Sequence, residues 1–186
     1  MAGPLRSILA LSIRDPRTGV RAVLSALPER GARQELFLLA AILPTLLIFI
    51  VLGLSGDMTL APAGPLILLL MQVAGLLMVT GLGYALCRWR GGVGTFSDCL
   101  AAMAWLQVIM AAVQAALLVV ELALPFMGLF AGIVTIGLAL WLAAHFLAEV
   151  HQFKSARVVG FGILGFIFAM FIILGWLTSL AGGAHV

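Results

Sequence analysis

The 186-residue chain is 64% hydrophobic, with ten Lys/Arg and seven Asp/Glu, whereas a soluble domain devotes roughly a quarter of its residues to charge. Too few polar side chains exist to clothe a core in a water-facing surface, so lipid must be the main solvent. A soluble enzyme is excluded, and no nucleic-acid partner is expected.

Met1 to Ala10 is followed at once by Arg14, Asp15, Pro16 and Arg17. No apolar stretch of signal-peptide length precedes a cleavage site, so this end is read as mature protein. Residues 1–34 form a cytoplasmic amphipathic arm. Leu5, Ile8, Leu9 and Ser12 follow helical spacing, and Val20, Val23, Leu24 and Leu27 repeat it at i, i+3, i+4 and i+7, which predicts two short amphipathic helices. Asp15 and Pro16 mark the break: the aspartate can cap the second helix, and proline suits its first position. Arginines on the polar faces fit helices lying in an anionic lipid interface or against a partner. A leader that only fixes topology and a dedicated docking surface account equally for this pattern.

Residues 35–186 form the membrane domain. Uncharged intervals of 21, 30, 22 and 27 residues lie between Glu35, Asp57, Arg88, and between Asp98, Glu121 and Glu149, and 29 residues follow Arg157. Each meets the roughly 20 residues needed to cross about 30 Å of hydrocarbon. They are continuously apolar, without the two-residue alternation of barrel strands, so they are helices. The fold is all-α, a bundle of five spans at approximately 36–56, 63–87, 98–120, 124–148 and 158–180. Pro62 and Pro65 open the second and Pro125 the fourth, whereas Pro44 falls inside the first and should kink it or loosen its end.

All ten basic residues fall before the first span (Arg6, Arg14, Arg17, Arg21, Arg30, Arg33), between the second and third (Arg88, Arg90), or between the fourth and fifth (Lys154, Arg157). Basic residues are retained on the cytoplasmic side, which puts the N-terminus inside and the C-terminus on the far side, with only Asp57, Glu121 and His185 exposed there. Cys87 and Cys99 fall near helix ends on the basic side and are read as inert buried thiols, since a disulfide does not suit that compartment.

Inside the spans, ionisable groups are scarce. His145 stands one turn before Glu149, with His151 close behind. A metal cluster lacks the zinc-protease spacing, and the pairing of His145 with Glu149 is the stronger expectation. Gln107 and Gln114 share a face of the third span and Gln72 lies in the second, where amides hydrogen-bond between helices or line a polar path. Small residues recur four apart at Gly81/Ala85, Gly128/Gly132 and Gly165/Ala169, as in helices that pack closely within a chain or in a dimer. Trp89 and Trp176 suit the interface belts, and Trp105 and Trp141 lie deeper. No nucleophile elbow, phosphate-binding glycine loop or pair of buried carboxylates is present, so an enzyme is not expected, nor a cofactor.

The carriers of a wider resemblance are Arg14-Asp15-Pro16, Gly83-Tyr84 at the end of the second span, and Glu149-Val150-His151-Gln152-Phe153-Lys154 before a basic turn. With the order arm then five spans, the chain resembles a bacterial member of the Yip (Ypt-interacting protein) domain family. Eukaryotic members bind prenylated small GTPases in vesicle traffic through an Asp-Leu-Tyr-Gly-Pro motif and a Gly-Tyr-rich one. This sequence keeps only Asp15-Pro16 of the first and a single Gly-Tyr pair of the second, so GTPase binding does not transfer. Nine arginines to one lysine, with abundant Ala, Gly and Leu, read as a high-GC bacterium and hence an inner membrane.

The expected function is a non-enzymatic membrane adaptor or accessory subunit, in contact with lipid, with another membrane protein and in some settings with its own copies. Its docking surface is Arg14, Asp15, Pro16, Arg17, Arg21, Arg88, Arg90, Lys154 and Arg157. A small oligomeric transporter or channel is the alternative, with His145, Gln107 and Gln114 lining one cavity; a lipid-organising or curvature-sensing protein is the third reading.

Overall fold

The computed structural model describes residues 3–55 and 64–182; Asp57, Pro62 and His185 lie outside them. All described secondary structure is helical: α1 (Gly3–Arg14), α2 (Pro16–Ala26), α3 (Arg30–Ser55), α4 (Gly64–Trp89), α5 (Phe96–Ala123), α6 (Gly128–Val150) and α7 (Ala156–Gly182), with a 3-10 turn at Pro125–Met127 before α6. Helices α3 to α7 are each long and apolar enough to cross a membrane, and exposed Leu, Ile, Val and Phe line their outer faces. The chain is a polytopic helical membrane protein.

At the basic end each helix overruns its expected span, because distances between charges measure the hydrocarbon crossing and not the helix. Thus α3 begins at Arg30, taking Arg33 and Glu35 into its first turns, and α5 begins at Phe96. Pro125 opens the 3-10 turn, and α6 starts three residues later at Gly128. Pro65 is the second residue of α4, where its missing amide proton costs no helical bond. Pro44 lies within α3, and the next residue, Thr45, turns its hydroxyl onto the carbonyl of Ala41 at 3.1 Å.

Helix α5 is the axis of the bundle, packing against α2, α3, α4 and α6, while α7 rests on α6 and α4. Residues Ala101 to Leu106 of α5 are buried without a break, and Val108 to Ala111 continue the run. Burial all round demands small side chains, and Ala101, Ala102, Ala104 and Ala111 supply them. The core also takes in Leu142, Phe146, Leu147 and Val150 from the end of α6, and Val159 from the start of α7. It therefore sits toward the end of the bundle where the basic residues lie.

The four-spaced small pairs are not sites of close helix approach, the one neighbour being Glu121, whose carboxyl lies 3.9 Å from a methyl group placed on Gly128. A methyl group added at Gly81, Gly132 or Gly165 would meet nothing within 4 Å, and Ala85 and Ala169 are exposed. Close approaches occur at other glycines: Gly83 against Leu147, Gly162 against Leu86 and Gly19 against Ser12.

Candidate functional site at the basic end of the bundle

Two short connections meet at this end. Residues 90–95 join α4 to α5, and residues 151–155 join α6 to α7. The first turns on Gly91, at φ +86°, and the second on Gln152, at φ +58°. Thr95 then caps α5: its hydroxyl accepts from the amide of Asp98 and donates to the Asp98 carboxylate at 2.6 Å. A methyl group on Gly92 would lie 2.5 Å from Nδ1 of His151, and one on Gly94 2.7 Å from Val150. These glycines are required by the contact between the loops.

His151 is the pin of that contact and is 2% exposed. The Gly94 amide donates to its Nδ1 at 3.2 Å, so in the neutral ring the proton sits on Nε2, which faces Sγ of Cys99 at 3.1 Å. Burial, helped by the nearby Arg88, holds its pKa below the ordinary 6.5. Tyr84 lies beside the same ring with centroids 5.8 Å apart, and packs edge-on against Phe96. The Gly83-Tyr84 pair and the Glu149–Lys154 stretch, distant in sequence, thus form one assembly.

The arm closes over it. Helices α1 and α2 fold against each other so tightly at Gly19 that a methyl group there would lie 2.5 Å from the Ser12 backbone. Asp15 caps α2 through Thr18, whose amide and hydroxyl both donate to it, and these bonds keep its carboxyl below the usual range. Helix α2 packs on α5 and α6, with Val20 and Val23 in the core. Ser12 is fully buried; its hydroxyl donates to the Ile8 carbonyl and accepts from Nε1 of Trp105 at 2.9 Å. Arg17 donates to the Phe153 carbonyl at 3.0 Å and reaches that of Lys154, and Arg21 pairs with Glu149 across 2.5 Å. Arg33 of α3 joins the network by pairing with Asp98 at 2.7 Å and donating to Ser97.

The structure therefore redistributes the residues singled out in the sequence. Asp15, Pro16, Arg17 and Arg21 act within the chain, the first two as cap and buried first-turn proline, the others as ties to the α6–α7 turn. Of the arm's apolar face, Val20 and Val23 are buried against protein and Ile8, Leu9, Leu24 and Leu27 are partly so, while Ile13 is exposed. Arg14 is exposed, Arg88 donates to the Gly92 carbonyl at 3.0 Å, and Arg90 lies over the Trp89 ring at 5.7 Å. Lys154 and Arg157 line an open cleft with Arg17 and His145.

Glu149 does not pair with His145. Arg21 takes the carboxylate, and Nδ1 of His145 donates to the Trp141 carbonyl at 2.7 Å. The His145, Glu149, His151 grouping is thereby dispersed, and among the described residues no three His, Cys, Asp or Glu side chains are placed to share a metal. Gln72, Gln107 and Gln114 come together along a cavity of about 590 Å³ that Glu121 and Thr135 also line. They face a shared space and not one another's hydrogen bonds, and His145 belongs to a different cleft. The roles of Cys99, Gly92 and Gly94 were not anticipated; the signal for Ser12 was present, a lone hydroxyl at an apolar helical position.

Compared with known families, residues 10–177 match the model of the Yip1 domain. No curated protein and no solved structure matches the chain.

Proposed function

We propose, because the chain belongs to the Yip1 domain family, that it is a non-enzymatic adaptor of the bacterial inner membrane, presenting the basic end of its bundle to another membrane protein on the cytoplasmic side. The observation that supports this reading is the docked arm. Much of its apolar face packs on the bundle and two of its arginines bond to the α6–α7 turn and to Glu149, so what it adds to the surface is a fixed shape carrying charge. Of the nine basic residues whose side chains are described, only Arg21 and Arg33 meet a carboxylate. The others form a positive surface that complements an acidic partner, with Arg14 and Arg90 exposed upon it. Cytoplasmic placement rests on the retention of basic residues inside.

Purification of the full chain from native membranes in mild detergent should recover a stoichiometric membrane protein, and Arg14→Glu/Arg90→Glu should lose it without altering the chain's own elution. Repeated recovery of the wild-type chain alone would overturn the adaptor reading.

A second reading, a small transporter, draws on the cavity shared by Gln72, Gln107 and Gln114. Single cysteines at these positions should react with a water-soluble thiol reagent if the cavity conducts polar solutes, and three unreactive sites would remove the pathway.

A further inference from the structure

Between α6, α7 and the docked arm lies an open cleft of about 660 Å³. Its polar end holds Arg17, Lys154 and Arg157, and none of its lining residues is acidic. None of these three cations lies within ion-pair distance of a carboxylate among the described residues. Arg17 is fixed in place by the Phe153 and Lys154 carbonyls, which satisfy some of its donors and leave its charge unneutralised. The N-terminus of α7 enters at the same level and adds a partial positive charge.

Below the cations the character of the wall changes. Leu140 of α6 and Ile163 and Leu164 of α7 form it, and Gly137 and Gly160 keep it open. From Ala156 to Leu164 the wall descends about 12 Å along α7 at 1.5 Å per residue. A cleft with three unpaired cations at the membrane boundary and an apolar slot leading from them toward the hydrocarbon matches an amphiphile with an anionic head. A free phosphate ester would use only its upper end. Basic pockets between transmembrane helices on the positively charged side select anionic lipid headgroups for this reason.

We propose that this cleft binds one anionic glycerophospholipid, its phosphate held by Arg17, Lys154 and Arg157 and its upper acyl chain laid along α6 and α7. The lipid joins the arm to the last span and makes the docked arm dependent on membrane composition.

The test uses the full chain in a neutral mild detergent, with bound lipid read by native mass spectrometry after addition of phosphatidylglycerol or phosphatidylcholine. Phosphatidylglycerol should be retained preferentially. Lys154→Gln/Arg157→Gln should lower its retention on the order of 30-fold, since each cation near the surface contributes roughly fivefold and the two multiply. Gly137→Phe keeps every charge, and a side chain there meets no protein atom within 4 Å of its Cβ, so it should occlude the slot and lose the lipid with the fold intact. Arg30→Gln, which removes one charge elsewhere at the same end, should leave retention unchanged. Equal retention of the two lipids, or a loss in Arg30→Gln as large as in the double variant, would overturn the proposal. So would displacement of phosphatidylglycerol by soluble glycerol 3-phosphate, which would make the ligand an aqueous phosphate ester.

Discussion

His151 is required as a neutral ring, because the Gly94 amide already donates to Nδ1 and no second proton fits there. Its pKa is depressed in the folded chain, first by burial and then by Arg88. Between that depressed value and the ordinary 6.5 the unfolded chain binds a proton that the folded chain refuses. Stability from this group is therefore complete above about pH 6.5 and is lost as pH falls toward the folded value. Thermal unfolding of the full chain in neutral detergent, from about pH 8 down to about pH 5, should show the midpoint falling below about 6.5. His151→Asn keeps an acceptor for Gly94 and should remove much of that slope while lowering the midpoint at neutral pH. A wild-type midpoint that is flat across the range would mean the buried ring is not coupled to folding.

For α2, two attachments can be weighed by size. The Arg21–Glu149 pair is short, yet the Arg21 side chain is 70% exposed, and ion pairs open to water contribute about 0.2–1 kcal/mol. Val20 and Val23 are buried, and full burial of such a side chain is worth about 1.5–3 kcal/mol. Apolar packing should win. Arg21→Ala should leave the arm docked with a small gain in cleavage, whereas Val20→Asp should release it and sharply raise tryptic cleavage after Arg14, Arg17 and Arg21. Equal cleavage of the two variants would reverse the ranking. The same helix shows what the sequence could convey. Val20, Val23, Leu24 and Leu27 announce a helix with one apolar stripe, and Asp15-Pro16 announces its start, because both signals are local. The stripe does not name its cover: lipid and the α5–α6 surface are alike apolar. Glu149 was assigned to His145 for a related reason. A neighbour one turn away is visible in the sequence, and Arg21, 128 positions distant, becomes its neighbour only through the fold.

At the scale of the whole molecule, the five spans were legible because charge is excluded from hydrocarbon, so charges mark where each helix emerges. The bundle's asymmetry was not: packing is densest where arm, α5 and the ends of α6 and α4 converge, while the opposite half opens around Gln107 and Gln114. Orientation of this polarised bundle is the remaining assignment, and α5 offers a direct test. Val93 precedes it and is 59% exposed, Leu124 follows it and is 45% exposed, so a label added outside can reach only one of them if α5 crosses the bilayer. Cys87 and Cys99 are 2% and 0% exposed and should stay silent, so Val93→Cys and Leu124→Cys can be made without removing them. With the basic end facing the cytoplasm, a membrane-impermeant maleimide should label Leu124→Cys in intact cells and Val93→Cys only after permeabilisation. The reverse pattern would turn the bundle over and carry the basic end to the outside, while labelling of both from outside would mean that α5 does not span.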